Sequence, residues 1–177
     1  PKLEAFMNEQ NTSQLKKRDK LILFFSVFVV ATCGLVYELV AGAVSSYLLG
    51  DAVTQFSLVI GVFLSAMGLG SYLAKFINRD LLQRFIQIEI VIGLAGGMSS
   101  IAMFAVSSVL PLIFTPFFYA LCAFLGALIG IEIPLLMRII KGGSSFIESI
   151  SNVLALDYVG ALAGSLLFPL VVLPLLG

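Results

Sequence analysis

Four acidic residues stand inside apolar stretches of this chain, and their chemistry needs an explanation. They are Glu38, Glu89, Glu132 and Asp157, each on a separate stretch and each close to glycines. An ionised carboxylate at membrane depth costs roughly 3 kcal/mol or more, so it needs a cationic partner, a water-filled cavity or a function. The repeated placement of one acid beside glycines is the main functional signal in the sequence.

The stretch LALDYVGALAGSLLFP, residues 154–169, shows this pattern most clearly. It combines Asp157 and Tyr158 with two glycines four residues apart, a spacing that lets another helix pack at close range. Two other acid-bearing stretches contain glycine pairs at the same spacing. The residues predicted to make helix contacts are Gly93, Gly97, Gly126, Gly130, Gly160 and Gly164.

The composition predicts that these stretches cross a membrane. Of the 177 residues, 60% are hydrophobic and 11% are charged, and a helix needs about 20 apolar residues to cross the hydrocarbon layer. Transmembrane strands would alternate polar and apolar residues, which these stretches do not. The predicted fold is an all-α polytopic transmembrane helical bundle, residues 21–177, behind a basic tail, residues 1–20. Its roughly five spans cover about 21–49, 53–77, 82–109, 112–140 and 150–176.

The positive charges predict the topology. Lysine and arginine occur in the N-terminal tail, around the turn between the second and third spans, and after the fourth span. Cytoplasmic loops of membrane proteins carry an excess of these residues. We therefore expect a cytoplasmic N-terminus and all basic residues on the cytoplasmic side of the lipid bilayer.

This topology places three of the acids at one depth. With a rise of about 1.5 Å per residue, Glu89, Glu132 and Asp157 each lie on the order of 10 Å from the cytoplasmic end of their helix. They are expected to form one acidic pocket, open to the cytoplasm, for a cation such as a proton or an organic amine. Tyr37 and Tyr158 would offer cation–π faces. Glu38 is a further candidate ligand, but it lies farther along its span, nearer the outer face, where grouping with Asp51 is the alternative.

The structural alternative is that each acid is simply paired. Glu89 would pair with Arg84 and Glu132 with Arg138, while Asp157 would hydrogen-bond a tyrosine or the backbone. The sequence has no histidine, and it shows no nucleophile–base pair, metal-ligand cluster or basic nucleic-acid stripe. We therefore predict no catalytic residue, metal site, resident cofactor or nucleic-acid partner in this chain.

Several stretches resemble a known family. They are GLVYEL at 34–39, LGDAVTQFSLVIGVFLSAMGLGS at 49–71, GALIGIEIPLLMR at 126–138, and VLALDYVGALAGSLLFPLVVLPLLG at 153–177. Together they resemble the membrane domain of the membrane-bound spermidine synthase-like proteins, which are polyamine aminopropyltransferases. The combination of GIEIPLL with LDYVGALAGSLLFP is the most specific part of this resemblance.

The resemblance implies a larger enzyme. In that family further helices and a Rossmann-like catalytic domain follow, and this domain transfers an aminopropyl group from decarboxylated S-adenosylmethionine to putrescine. We expect those parts to be absent from this chain. The resemblance also implies a bacterial cytoplasmic, or inner, membrane and a polyamine as the ligand of the acidic pocket.

Three functions compete at this stage. The first is a membrane domain that anchors an aminopropyltransferase and binds or moves polyamines. The second is a purely structural anchor that forms a homodimer through the glycine pairs. The third is a small cation- or proton-coupled transporter, for which five spans without an internal repeat are few unless the chain dimerises.

Overall fold

The computed structural model describes residues 17–140 and 146–176, and every element in these ranges is helical. Five long helices occupy these ranges, which confirms the predicted all-α bundle. They are α1 (Lys17–Leu49), α2 (Ala52–Leu73), α3 (Leu81–Val109), α4 (Pro111–Ile140) and α5 (Phe146–Leu167). Most of the predicted basic tail, residues 1–16, lies outside the described residues.

Each long helix is apolar for long enough to cross a membrane. The apolar spans are Leu21–Leu49, Ala52–Phe76, Leu81–Val109, Pro111–Ile139 and Ile150–Leu175. The helical form follows from the solvent, because hydrocarbon offers no hydrogen-bond partner to the backbone and a helix satisfies its own peptide groups. Large apolar side chains remain exposed along these helices, such as Leu64, Leu94 and Ile101, as expected of surfaces that face lipid.

The helices turn where the sequence supplies the appropriate residues. Gly50 and Asp51 both have positive φ angles, 78° and 47°, in the tight turn between α1 and α2. After α2 the chain continues through a 3₁₀ turn, Ala74–Phe76. After α5 it passes through a π-helical turn, Phe168–Val172, into the short helix α6 (Leu173–Leu176). Pro169 lies in that π-turn, where the lack of a proline N–H disfavours regular α-helix.

Helices α1 and α4 form the centre of the bundle. Each contacts all the other long helices, and the most extensive interfaces are α2 with α4 and α1 with α5. Within the described residues, α2 does not contact α3, and neither α2 nor α3 contacts α5. Side chains of α1 and α4 are therefore the ones most able to become enclosed.

Glycines allow the two largest interfaces to close. A methyl group built at Gly126 would lie 2.9 Å from the carbonyl oxygen of Phe63 on α2, and one at Gly130 would meet Met67. On the other side, a methyl group at Gly160 would lie 2.6 Å from the carbonyl oxygen of Phe28 on α1. Backbones approach this closely only where a small residue leaves room.

The register of the α1–α5 interface is fixed by a hydrogen bond between the helices. The Thr32 hydroxyl donates to the carbonyl oxygen of Gly160 at 3.0 Å and to that of Phe28 at 2.7 Å. Because this hydroxyl bonds backbone on both helices, α5 is held at one height along α1.

The interior contains two separate apolar clusters. The larger one is centred on Phe63, Phe118 and Leu125, and the smaller one contains Phe85, Leu135 and Val153. The smaller cluster lies towards the end of the bundle that carries Lys75, Arg79, Arg84 and Arg138, which we call the basic end.

Candidate functional site

Three acids lie between the two apolar clusters, and we call them the carboxyl layer: Glu89 on α3, Glu132 on α4 and Asp157 on α5. On α4 the larger cluster reaches Ile129 and the smaller one begins at Leu135, so Glu132 falls between them. On α3 the same positions are held by Ile92 and Phe85 on either side of Glu89. The depth calculation from the sequence thus brings together the same three residues.

Glu132 is the central member of the carboxyl layer. Its side chain is only 4% exposed, and it lies within electrostatic range of both Glu89 and Asp157. Its Oε1 atom is buried and has no hydrogen-bond partner among the described residues. Burying a polar atom without a hydrogen-bond partner costs free energy. A proton or a bound cation at Glu132 would remove this cost.

Glu89 borders a small cavity between α1 and α3. The cavity has a volume of about 110 Å³ and is also lined by Cys33, Tyr37 and Ile92. A water molecule occupies about 30 Å³ in the liquid. The cavity therefore has room for three or four water molecules, or for one ammonium group with a methylene. The Oε1 atom of Glu89 is buried and lacks a hydrogen-bond partner within the described part of the chain.

The arginines expected to neutralise these acids are engaged elsewhere. Arg138 donates from Nη1 to the carbonyl oxygens of Ala74 at 3.1 Å and Ile77 at 2.6 Å, and from Nη2 to Oδ1 of Asn78 at 2.9 Å. Arg84 donates to Oε1 of Gln87 at 3.3 Å. The prediction that Arg138 pairs with Glu132, and Arg84 with Glu89, is therefore wrong. Arg138 closes the C-terminal end of α2 because unpaired carbonyls there need donors.

The carboxyl layer does not open directly towards the basic end. One helical turn nearer that end than each acid stands a buried apolar residue: Phe85 on α3, Leu135 and Leu136 on α4, and Val153 on α5. Residues three or four apart share a helix face, so the face that encloses each acid also encloses its apolar neighbour. The expected opening towards this end is replaced by an apolar layer.

Glu38 belongs to a different level of the bundle. It lies within electrostatic range of Cys122, which stands ten residues before Glu132 on α4 and so about 15 Å farther from the basic end. Glu38 is also about 20 Å along α1 from Asp51. The Asp51 carboxylate instead accepts hydrogen bonds from the Thr54 hydroxyl at 2.5 Å and the Thr54 N–H at 3.5 Å, which hold the Asp51 pKa below its usual value.

The two candidate tyrosines separate in the structure. Tyr37 lines the cavity beside Glu89, whereas Tyr158 is 70% exposed on the surface of α5. Although Tyr158 adjoins Asp157 in sequence, successive helix residues point about 100° apart. Only Tyr37 of this pair is placed beside the carboxyl layer.

The glycine pairs also differ in their surroundings. Gly126 and Gly130 face α2, and Gly160 and Gly164 face α1, but a methyl group added at Gly93 or Gly97 would meet nothing within 4 Å in the described chain. On α3 the close contact is made by Gly96, over which the Tyr37 ring lies. Neither Gly96 nor Cys33 is among the residues predicted from the sequence; the signal for Cys33 is its spacing of one helical turn from Tyr37.

The carboxyl layer is not arranged as a metal site. Among the described residues, no group of three or more His, Cys, Asp or Glu side chains is placed to hold a metal ion. Glu89 and Asp157 are each close enough to Glu132 to influence its charge.

Comparison with known proteins supports the resemblance noted in the sequence. The chain is similar to one part of the polyamine aminopropyltransferases. It is 49% identical over 155 residues to the polyamine aminopropyltransferase of Leptospira interrogans, covering 88% of this chain and 31% of that protein. It is 49% identical over 162 residues to polyamine aminopropyltransferase 2 of Ralstonia nicotianae, covering 90% and 32%.

More distant relatives carry the same name. The polyamine aminopropyltransferase of Mycobacterium tuberculosis strain H37Rv is 34% identical over 167 residues, covering 90% of this chain and 32% of that protein. The chain thus spans about a third of the length of the curated relatives it matches. No family model matches the chain, and no solved structure matches it.

Proposed function

We propose that this chain is the membrane-spanning domain of a polyamine aminopropyltransferase, and that its carboxyl layer binds an ammonium group of a polyamine. One observation carries the proposal. The buried Glu132 has an oxygen without a hydrogen-bond partner among the described residues and has Glu89 and Asp157 nearby. Such a group of carboxylates in an apolar interior requires protons or a cation.

The shape of the site favours one end of a polyamine. A primary ammonium has three N–H donors, like that of lysine, enough to reach unpaired oxygens on both Glu89 and Glu132. The adjoining methylenes would lie against Val29, Val30 and Ile92 in the cavity beside Glu89. At about 110 Å³ this cavity takes the end of the ligand, with Tyr37 beside it for a cation–π contact.

The apolar layer at Phe85, Leu135 and Val153 lies between the basic end and the carboxyl layer, so a ligand reaches the acids from that end only when the helices move. A charged ligand arriving from the basic end has to cross this layer, which is unfavourable while the helices are closed. Helix α3 shares an extensive interface with α4 alone and a smaller one with α1. We propose that a small movement of α3 admits the ligand.

Calorimetric titration of the purified protein in detergent with spermidine and with putrescine tests this function. The double variant Glu132→Gln, Asp157→Asn should lose polyamine binding. Truncating one partner of a buried charged contact costs about 2–5 kcal/mol, so affinity should fall by at least about 30-fold.

The matched control is the double variant Glu38→Gln, Asp51→Asn. It removes two carboxylates as well, but Glu38 lies near Cys122, about 15 Å farther from the basic end than Glu132, and Asp51 lies about 20 Å beyond Glu38. At these distances affinity should change less than about three-fold. Equal affinity in the two double variants, or no saturable binding by the unmodified protein, would overturn the proposed polyamine site.

A purely structural anchor that forms homodimers is the second candidate, and one observation favours it. Gly97 is exposed on α3, and a methyl group added there would meet nothing within 4 Å in the described chain, which leaves room for a helix of a second molecule; Gly93 lines the cavity beside Glu89. A folded, dimeric protein that binds no polyamine in the calorimeter, with its dimer lost in Gly97→Leu, is the outcome that selects this candidate.

The surroundings of the domain follow from the same resemblance. We propose a bacterial inner membrane, with the basic end of the bundle and the N-terminus in the cytoplasm, because lysine and arginine concentrate there. Decarboxylated S-adenosylmethionine would be a substrate of a catalytic domain of the whole protein, and the membrane domain would keep polyamine close to it.

A further inference from the structure

A cleft of about 700 Å³ lies at the basic end, between residues 76–79, which follow α2, and helix α3. Helices α2 and α3 make no contact with each other within the described residues, and Leu128 and Ile131 of α4 form the back wall of the cleft. The volume falls within the range of about 300–1,000 Å³ that is typical of ligand sites. We call this the basic cleft.

Two arginines line the mouth of the basic cleft. Arg79 and Arg84 are both exposed. Arg84 donates one hydrogen bond, to Gln87, and Arg79 has no hydrogen-bond or ionic partner in the described chain. Asp80 adjoins Arg79 in sequence but does not line the cleft. The mouth therefore presents two exposed guanidinium groups with donors to spare, unlike Arg138, which makes three hydrogen bonds to residues 74–78.

The interior of the basic cleft is apolar. Ile88 and Val91 of α3 face it together with Leu128 and Ile131 of α4. Val91 is 41% exposed there and lies seven residues beyond Arg84, so about 10 Å deeper along the helix. A ligand that fits this cleft has an anionic group at one end and a hydrocarbon part about 10 Å below it.

We infer that the basic cleft binds an anionic phospholipid, with the phosphate between Arg79 and Arg84 and an acyl chain against Val91 of α3 and the α4 back wall. Guanidinium groups match the geometry of phosphate oxygens. Basic pockets between membrane helices at the cytoplasmic surface suit anionic headgroups. The cationic mouth repels polyamines, so this site is separate from the carboxyl layer, which faces α1 from the other side of α3.

Native mass spectrometry of the protein in detergent tests the inference. The protein is mixed with phosphatidylglycerol or with phosphatidylcholine of identical acyl chains, and the bound lipid is counted. One phosphatidylglycerol should be retained in preference to phosphatidylcholine. Arg84→Gln should weaken its retention about five-fold, the usual contribution of one basic residue, and Arg79→Gln, Arg84→Gln together should abolish the preference.

Lys75→Gln is the matched control for charge. Lys75 lies at the same end of the bundle, but its ammonium stands 3.3 Å above the Tyr72 ring and it does not line the cleft. It should retain phosphatidylglycerol like the unmodified protein. If Lys75→Gln and Arg84→Gln weaken binding equally, general surface charge accounts for the lipid and the inference is overturned.

A second pair of variants tests the acyl part. Val91→Trp fills the cleft and should displace the lipid, whereas Ile90→Trp, on the neighbouring exposed position outside the cleft, should not. Glycerol phosphate without acyl chains should fail to compete. Competition by glycerol phosphate, equal behaviour of the two tryptophan variants, or a protein dimer that Val91→Trp dissociates in place of lipid would each overturn the inference.

Discussion

Helices α2 and α4 lie so close together at Gly130 that a single added methyl group should force them apart. In Gly130→Ala the new Cβ would lie 2.6 Å from Cα and 2.7 Å from the carbonyl carbon of Met67. Ordinary contact begins near 3.4 Å, so the helices would have to separate by at least about 0.8 Å, and the carbonyl oxygen of Met67 would lie closer still. The obstructing atoms are backbone and cannot rotate away, as the end of a side chain could.

The magnitude follows from two opposing effects. Overpacking of a tight interior costs about 1–3 kcal/mol, whereas alanine gains up to about 1 kcal/mol over glycine inside a helix. The matched control is Gly68→Ala on α2, where the added methyl group meets nothing within 4 Å and only the gain applies. Because the helix gain is common to both variants, their free energies of unfolding should differ by the overpacking cost alone, about 1–3 kcal/mol.

Thermal unfolding followed by far-UV circular dichroism, in one detergent and at one heating rate, measures this difference. At about 2–4 °C per kcal/mol for a chain of this size, the midpoint of Gly130→Ala should lie roughly 2–12 °C below that of Gly68→Ala. A midpoint of Gly130→Ala equal to or above that of Gly68→Ala would refute the close α2–α4 approach.

Two further predictions concern the turns at the ends of α2. Arg138→Gln should lower the free energy of unfolding by about 2–3 kcal/mol because its hydrogen bonds to Ala74, Ile77 and Asn78 are lost. Arg84→Gln in lipid-free detergent should change the free energy of unfolding by no more than about 0.5 kcal/mol. Equal losses of stability in Arg138→Gln and Arg84→Gln, measured by chemical denaturation, would contradict the role given to Arg138. Asp51→Ala should be less stable than the unmodified protein at neutral pH. Because Thr54 lowers the Asp51 pKa, the stabilisation exists above the unfolded-state pKa and fades as pH falls through the folded-state pKa. Asp80, whose side chain makes no capping hydrogen bond, is the control: Asp80→Ala should lose less stability at neutral pH than Asp51→Ala, and equal losses would contradict the assignment.

Much of the fold could be predicted because membrane helices are largely independent of one another. Each span must satisfy its own backbone and must be long and apolar, so both properties are local in sequence. The predicted second span, 53–77, differs from the observed Ala52–Phe76 by one residue at each end. The resemblance to polyamine aminopropyltransferases, read from GIEIPLL and LDYVGALAGSLLFP, was likewise confirmed by relatives of that name.

The depth of the candidate site could also be predicted, but its surroundings could not. Depth depends only on counting residues from the end of a helix, and this count placed Glu89, Glu132 and Asp157 together. It gave no information on what lies beside them. The pairing of Glu132 with Arg138 was a reasonable expectation from sequence proximity, yet Arg138 bonds the end of α2.

The sequence by itself determined how many spans the described chain contains, where they begin and end, and at what depth each acid lies. Only the tertiary structure decided which way each helix faces: that Glu132 is enclosed, that Tyr158 points outward, and that Gly96 rather than Gly97 makes the contact on α3. The physical reason is that lipid is as apolar as the protein interior, so hydropathy marks no inner face on a membrane helix. Rotation about the helix axis is set instead by close contacts between glycines and backbones of different helices.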